Sequence, residues 1–375
     1  MKFYIHAGGE KTGTSFIQGF LYSNREKLRN YGFFVPTSMG PRNNRKLSIA
    51  AFNADRRDDF TRRSNINTND QLVELQKEII NDLAIELTKI CSDTIILSSE
   101  QIQSRLTTIT EIQRLKDVLV SVGATEIFII LYLRDPAEIA NSNYSTWIKS
   151  GATDKEPPGP DHNKFITLCH HHNTLDKFSS VFGDNAIIPR VYDLTAFING
   201  SLIEDFLSII ECPFNNSFIS PDPSNEALTP FGLEILRRFN EQIPVFIDDK
   251  PNKLRGNINR FINANFVNKG EDRYQMPDSL FDDYDKAFIE SNELVRARWF
   301  PERESLFEKK ERRHQHKIAL TDDELSSVSG MLVDIWMDKQ TELITQRNNP
   351  SISYLASNLF KSIIQKLLDI FNFKK

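Results

Sequence analysis

The first part of the chain, as far as Gly32, constrains the fold most strongly. Phe3 to Ile5 form a short apolar run of strand-forming side chains, and apolar residues recur at helical spacing from Phe16 until Gly32. Between these two patterns, the segment from Ala7 to Ser15 is rich in glycine and in hydroxyl side chains. The pattern predicts a strand, a loop and a helix, in that order.

This loop has the chemistry of a phosphate-binding cradle. Glycine allows the backbone to approach a ligand closely and to adopt positive φ, so that successive N–H groups can converge on one anion. The start of the helix points its own unpaired N–H groups the same way. Side chains add one cation and three hydroxyl groups, and the candidate phosphate-binding residues are Gly9, Lys11, Thr12, Gly13, Thr14 and Ser15.

The order of these residues differs from that of the loop that binds nucleoside triphosphates. In that loop, G-x-x-x-x-G-K-[ST], a lysine follows the last glycine, and a hydroxyl residue that binds magnesium comes next. Here Lys11 precedes Gly13, and hydroxyl residues follow the glycine. The segment from Lys11 to Ser15, KTGTS, resembles instead the 5′-phosphosulfate loop of the sulfotransferases that use 3′-phosphoadenosine 5′-phosphosulfate (PAPS).

A second segment resembles another element of this family. Arg134 ends an apolar strand predicted from Glu126 to Leu133, and Ser142 follows eight residues later on a helix that Pro136 opens. A guanidinium group grips a phosphate through two parallel hydrogen bonds, and a hydroxyl group can complete the shell. The pair resembles the Arg-(x)7-Ser element that binds the 3′-phosphate of PAPS. The alternative is that Arg134 forms a structural ion pair with Asp135.

A third segment extends the resemblance with less specificity. The residues from Pro189 to Asp193, and then from Asn199 to Leu207, resemble the strand and helix that follow the 3′-phosphate element in bacterial members of the family. The resemblance covers about Met1 to Ile210 and fades to a diffuse helical likeness near residues 292–307. Its specificity lies in the two phosphate elements.

The acceptor hydroxyl needs a base, and Glu100 is the candidate. Glu100 follows a predicted strand from Thr94 to Ser98, and a carboxylate partly desolvated in a cleft can take up a proton near neutral pH. In the carbohydrate-modifying branches that this sequence resembles, a glutamate often has this role. The alternative is that Glu100 caps the next helix. His6, which is predicted one residue past the first strand, is the rival base, but a packed residue bonded to the loop backbone is the favoured interpretation.

Strand and helix patterns alternate as far as Cys212, and only helices are predicted beyond it. We expect an α/β core over residues 1–212, with a central parallel sheet of about four or five strands and a cleft at their carboxyl ends. An all-α region over residues 213–375 is expected to pack on this core or to cap it. The predicted strand that carries Pro189 lies near a sheet edge or is bulged at the proline, because proline cannot donate to a ladder. One continuous helix is predicted from Phe165 to Phe182.

Composition limits the classes of partner and compartment. The chain has 46 Lys and Arg against 51 Asp and Glu, so non-specific nucleic-acid binding is not expected. Its sequence shows no apolar run of membrane-spanning length, and Met1 leads directly into a strand without a secretory signal, which favours a cytoplasmic protein. The three cysteines are isolated and indicate neither disulfides nor a zinc site.

Two further segments have two interpretations each. The arginine-bearing stretch over residues 34–69 reads as a solvated surface, or as a basic lip that meets the anionic donor or an acidic acceptor. The apolar stripe over residues 351–373 reads as a helix packed on the domain or on a second subunit, or as a helix on a membrane surface near a glycolipid acceptor.

The resemblance implies transfer of a sulfuryl group from PAPS to a hydroxyl or amine group, with adenosine 3′,5′-bisphosphate as the product. Its carbohydrate-modifying branch makes a saccharide, such as a glycolipid or polysaccharide, the expected acceptor. Lys11 would neutralise charge on the leaving phosphate oxygen, and no metal is expected, since a sulfuryl group carries less charge than a phosphoryl group. Two alternatives stay open: a kinase or NTPase with an atypical loop, and a non-catalytic nucleotide-binding scaffold.

Overall fold

The computed structural model describes residues 1–221, 227–248, 250–266, 273–309 and 321–345. The strands are β1 (Lys2–Gly8), β2 (Phe33–Phe34), β3 (Thr94–Ser98), β4 (Glu126–Leu133), β5 (Ile187–Val191), β6 (Phe246–Ile247) and β7 (Lys250–Pro251). The helices are α1 (Thr14–Asn30), α2 (Lys46–Ala51), α3 (Asp59–Arg63), α4 (Asn69–Leu87), α5 (Gln101–Arg105), α6 (Ile109–Ser121), α7 (Pro136–Lys149), α8 (Asn163–Cys169), α9 (His171–Phe182), α10 (Leu202–Ile209), α11 (Pro230–Gln242), α12 (Ile258–Asn265), α13 (Asp278–Trp299) and α14 (Asp322–Thr345).

Five strands form one parallel sheet in the order β2-β3-β1-β4-β5. The central strand β1 pairs with β3 on one side and with β4 on the other. Both faces of β1 are buried: Phe3 and Ile5 belong to one apolar cluster, and Tyr4 belongs to another. The predicted α/β class, with a central parallel sheet of about four or five strands flanked by helices, is confirmed.

The edge strand β5 contains the proline that the sequence assigns to a sheet edge. Pro189 lies opposite Leu131 of β4, and among the described residues no further strand pairs with the other side of β5. The missing N–H of the proline therefore faces no partner strand there, and the expectation is confirmed.

The chain divides into two compact units that interleave in sequence. The first comprises Met1–Ala140, Gly159–Ser224 and Asp278–Glu311, and the second comprises Asn141–Pro158, Asn225–Pro277 and Arg312–Lys375. The five-stranded sheet belongs to the first unit. Each unit draws on residues from both sides of residue 212, and the division at that residue stays a prediction. The stripe over residues 351–373 lies outside the described residues.

The second unit is built mainly from helices, with a core that includes Leu233, Leu236 and Trp336. Thr229 caps α11 by accepting a hydrogen bond from the backbone of Gly232. The expectation of helices alone beyond Cys212 is wrong in one detail, because β6 and β7 form a small antiparallel hairpin. Each of these strands has only two residues, which is too short to produce a periodic pattern.

The continuous helix expected from Phe165 to Phe182 is also wrong. The chain breaks at His170, whose φ of −79° and ψ of 71° leave the helical region, so that α8 and α9 are separate helices. The apolar spacing continues across the break, and it gives no sign of it. The break allows His171 to turn inward, where its imidazole Nε2 lies 2.8 Å from the Arg134 carbonyl.

Among the described residues, no helix is both long enough and apolar enough to cross a membrane.

A buried polar cluster fastens α10 to the sheet. The hydroxyl of Tyr132 on β4 donates to Asp205 at 2.7 Å, and Arg190 on β5 forms an ion pair with the same carboxylate. Asp205 is fully buried, and burial together with Asp205 raises the pKa of Tyr132, so the tyrosine stays a donor. The Arg190 and Asp205 pair explains two residues of the third sequence segment as structural ones.

Replacing Asp205 by alanine is expected to lower the free energy of unfolding by about 3 kcal/mol, because the Tyr132 hydroxyl and the Arg190 guanidinium lose their acceptor. Urea unfolding measures the change. Asp82→Asn, which alters an exposed carboxylate on α4, is the matched control and should change stability by less than about 0.5 kcal/mol. Equal effects of the two substitutions would contradict this account.

Candidate active site

The loop between β1 and α1 contains three residues with positive φ, a feature typical of anion-binding loops. Gly8, Lys11 and Gly13 adopt left-handed φ values of 107°, 65° and 72°. Alternation of such residues with ordinary ones turns successive N–H groups toward one side. A Cβ on Gly13 would lie 2.4 Å from Leu202 Cδ2 and 3.3 Å from Tyr192 Cε2. Position 13 therefore requires glycine for both its conformation and its packing.

Two of the predicted hydroxyl groups hold the loop in shape. Thr12 and Thr14 both donate to the Gly9 carbonyl, at 2.6 and 3.0 Å, and the Gly9 N–H donates to the Tyr132 carbonyl at 3.2 Å. Ser15, in contrast, is half-buried at the second position of α1. The two threonine hydroxyls thus fix the cradle, in addition to any contact that they make with an anion.

The start of α1 supplies backbone donors beside the loop. Phe16 and Ile17 donate the first backbone bonds of the helix, both to the Gly13 carbonyl. The N–H groups that precede them in the chain lack intrahelical acceptors by the geometry of a helix start. These donors place partial positive charge beside the loop, and such charge favours an anion.

Arg134 meets this loop. It follows β4, and its guanidinium Nη1 donates to the Lys11 carbonyl at 2.7 Å. Its Nη2 donates to Glu138 Oε2 at 3.0 Å, and the carboxylate of Asp135 instead accepts a bond from the Glu138 N–H, which caps α7. The alternative of an ion pair between Arg134 and Asp135 is therefore wrong. The glycine loop and Arg134 therefore lie together at the carboxyl ends of adjacent strands.

Tyr192 belongs to the same group of contacts, although sequence reasoning assigned it no role. The residue directly follows β5, and its ring centroid lies 5.6 Å from the Arg134 guanidinium. The same ring lies beside Gly13. Tyr192 therefore packs against both phosphate elements, and only its place after a parallel strand could have suggested this.

Ser142 lies on α7, in the part of that helix that belongs to the second unit. Its role in binding a 3′-phosphate stays a prediction.

Glu100 lies beside the loop because β3 and β1 are neighbours. A Cβ on Gly8 would come within 2.9 Å of the Glu100 Cα, so only glycine permits this approach. Glu100 occupies the N-cap position of α5, yet its carboxylate makes no capping bond. It accepts bonds from Gln18 at 2.7 Å, from Asn43 at 3.1 Å to each oxygen, and from Gln101 at 3.1 Å. The helix-cap interpretation of this side chain is wrong.

Gln18 and Asn43 orient this carboxylate from elsewhere in the chain. The sequence analysis did not identify either residue. Gln18 lies one turn after Thr14 on α1, and this helical spacing could have placed it on the side of the loop. Asn43 lies in an irregular segment and had no such signal. It is held in position because Asn44 exchanges two hydrogen bonds with Ser98, at 2.9 and 2.8 Å.

His6 lies inside β1, which continues to Gly8, so its expected position past the strand is wrong. Its side chain is fully buried, and Nδ1 lies 2.8 Å from Ser98 Oγ, not against the loop backbone. Burial lowers the pKa of His6 to about 3, which keeps the ring neutral. The ring packs edge-on against Tyr132 and Phe206.

Two arginines of the stretch over residues 34–69 are engaged in internal ion pairs. Arg45 pairs with Asp58 and Asp59. Arg56 pairs with Glu111, which is fully buried. These pairs tie the stretch to itself and to α6, which favours a structural role for both guanidinium groups over a basic lip.

No group of three or more His, Cys, Asp or Glu side chains is arranged to hold a metal ion in the part of the chain that the structure describes.

No protein-family model matches the chain, and no curated protein matches it in sequence. Among solved structures, a sulfotransferase from Alicyclobacillus acidocaldarius is similar, with 15% identity and a TM-score of 0.35. The match covers 64% of this chain and 92% of that chain. A TM-score this low does not establish a shared function.

His171 supports the backbone of Arg134 through a contact with its carbonyl. Burial lowers the pKa of His171 to about 4, so the neutral ring holds its contact with the Arg134 carbonyl. An unfolded chain would protonate this histidine near its ordinary pKa of about 6.5. Because the unfolded state then binds more protons, this contribution to stability is complete above that pH and is lost as the pH falls toward the folded value.

Replacing His171 by glutamine, which keeps an N–H donor but does not titrate, is expected to reduce this acid sensitivity. Between about pH 7.5 and pH 5, the wild type should lose about 2 kcal/mol of unfolding free energy relative to the variant. Urea unfolding of both proteins measures the difference. Burial raises the pKa of Asp135 to about 6, so its contribution to stability grows as the pH falls. This contribution is the same in both proteins and does not affect their difference. If the difference in unfolding free energy between the two proteins did not change with pH, His171 would not be the source of the acid sensitivity.

Proposed function

We propose that this protein transfers a sulfuryl group from PAPS to a hydroxyl or amine group of an acceptor. The observation that carries the proposal is the hydrogen bond from Arg134 to the Lys11 carbonyl, two residues 123 positions apart. This bond joins two segments of the chain. By sequence, one resembles the element that binds the 5′ side of PAPS, and the other resembles the element that binds its 3′-phosphate.

The site residues suit such a donor. When bound, PAPS would supply a sulfuryl group attached to its 5′-phosphate. In-line transfer between two oxygens depends chiefly on positioning and on stabilising charge. The loop N–H groups and Lys11 would stabilise the negative charge that grows on the phosphate oxygen as the bond to sulfur breaks. Arg134 and Ser142 would bind the 3′-phosphate.

Glu100 is the proposed base. As the acceptor oxygen bonds to sulfur, its proton would pass to the Glu100 carboxylate, and the bonding electrons of the leaving oxygen would stay on the phosphate. Amide donors from Gln18 and Asn43 hold this carboxylate in one orientation, which is what a base requires. His6 remains the rival, although it is buried and neutral.

A saccharide is the proposed acceptor class, by resemblance to the carbohydrate-modifying branch. The surroundings of Glu100 support it, because amide side chains both donate to and accept from sugar hydroxyls. The Oδ1 atom of Asn43 is buried and has no hydrogen-bond partner within the described ranges, so it could accept a hydrogen bond from a hydroxyl group.

Calorimetric titration with adenosine 3′,5′-bisphosphate, in the absence of magnesium, tests the donor. We expect binding in about the micromolar range, and a loss of at least about 1 kcal/mol for Lys11→Ala and for Arg134→Ala, as each removes a charge-assisted contact. Lys77→Ala and Arg29→Ala, which remove exposed cations elsewhere, are matched controls. Tighter binding of ATP with magnesium would favour the kinase or NTPase alternative.

Replacing Glu100 by glutamine tests the base. With radiolabelled PAPS and a panel of saccharides, turnover should fall by about 100-fold or more while bisphosphate affinity stays within about twofold. Glu74→Gln, an exposed carboxylate on α4, is the control. Full activity of the Glu100 variant would exclude it as the base. Bisphosphate binding without turnover on any acceptor would favour the non-catalytic scaffold.

A further inference from the structure

Glu138 contacts the candidate donor site through Arg134. It lies one turn along α7 and accepts a hydrogen bond from Arg134 Nη2 at 3.0 Å. The side chains of Arg134 and Glu138 are 21% and 30% exposed, so the pair is partly shielded from water. The Asp135 carboxylate fixes the Glu138 backbone at the helix start. Glu138 is thus held on a rigid element, in contact with one guanidinium.

Three contacts restrain that guanidinium. Nη1 donates to the Lys11 carbonyl, Nη2 donates to Glu138, and the Tyr192 ring lies beside the group. An arginine has five N–H bonds in one plane, so, as far as the described residues go, these two bonds leave three for a ligand. Because the group is planar, fixing two of its N–H bonds also fixes the direction of the other three.

We propose that Glu138 is a positioning residue that acts through Arg134, keeping the free N–H bonds directed for a 3′-phosphate. This inference rests on the proposed function, since the ligand is the 3′-phosphate of its donor. Without Glu138, the guanidinium would keep one anchor and regain rotational freedom, which phosphate binding would then have to remove.

The contact with Lys11 separates the roles of Arg134 and Glu138. Lys11 is a non-glycine residue with left-handed φ, a conformation that its neighbours must maintain. Arg134 donates to the carbonyl of this residue and so acts on the 5′ loop as well as on the 3′-phosphate. Loss of Arg134 should therefore weaken both ends of the nucleotide, whereas loss of Glu138 should weaken the 3′ end alone.

Calorimetric titration with two probes measures this difference: adenosine 3′,5′-bisphosphate, and adenosine 5′-monophosphate, which lacks the 3′-phosphate. For Glu138→Ala we expect bisphosphate binding to weaken by about fivefold to tenfold, with monophosphate binding changed by less than about twofold. Glu138→Gln removes the same charge but keeps an acceptor oxygen, and it should recover most of the loss. Arg134→Ala should weaken both probes.

Glu74→Ala, which removes a carboxylate from the exposed pair with Lys77 on α4, is the matched control and should change neither probe. Thermal unfolding of each variant shows whether it folds, and Glu138→Gln serves if the alanine variant does not. Equal weakening of both probes, or tighter bisphosphate binding by the Glu138 variants, would overturn the inference; the second result would mean that Glu138 competes with the phosphate. A wild type that does not prefer the bisphosphate would overturn the proposed function itself.

Discussion

The pairing of β1 with both β3 and β4 is the constraint on which the site depends. Since all three strands are parallel, their carboxyl ends meet at one edge of the sheet. The glycine loop, Glu100 and Arg134 each follow one of these strands. The order of the strands therefore brings together residues from three distant parts of the sequence.

Much of this fold could be predicted because its signals are local. The period of apolar residues indicates α1, and the unbroken apolar run indicates β4. The break at His170 and the position of His6 within β1 could not be predicted, because the apolar spacing is the same with or without them. The short hairpin of β6 and β7 has too few residues to carry any period.

Some residues of the candidate site could likewise be predicted from the sequence, and others could not. Lys11, Arg134 and Glu100 could be proposed because a motif or the end of a strand marks each of them. Their supporting contacts, from Asn43 and Tyr192, are tertiary, and neither residue belongs to a local pattern that indicates its partner. Sequence therefore indicates which groups carry charge or protons, whereas the structure is needed to find the groups that hold them in orientation.

The Gly9 carbonyl accepts hydrogen bonds from both Thr12 and Thr14, so the loop's own hydroxyl groups hold its shape. A loop shaped in advance loses little conformational freedom when an anion enters it. Association with a donor nucleotide would then require little rearrangement of the backbone, and the entropy of ordering would fall mainly on the nucleotide. The Thr12 and Thr14 hydroxyls, which the sequence assigns to an anion, hold the loop in shape.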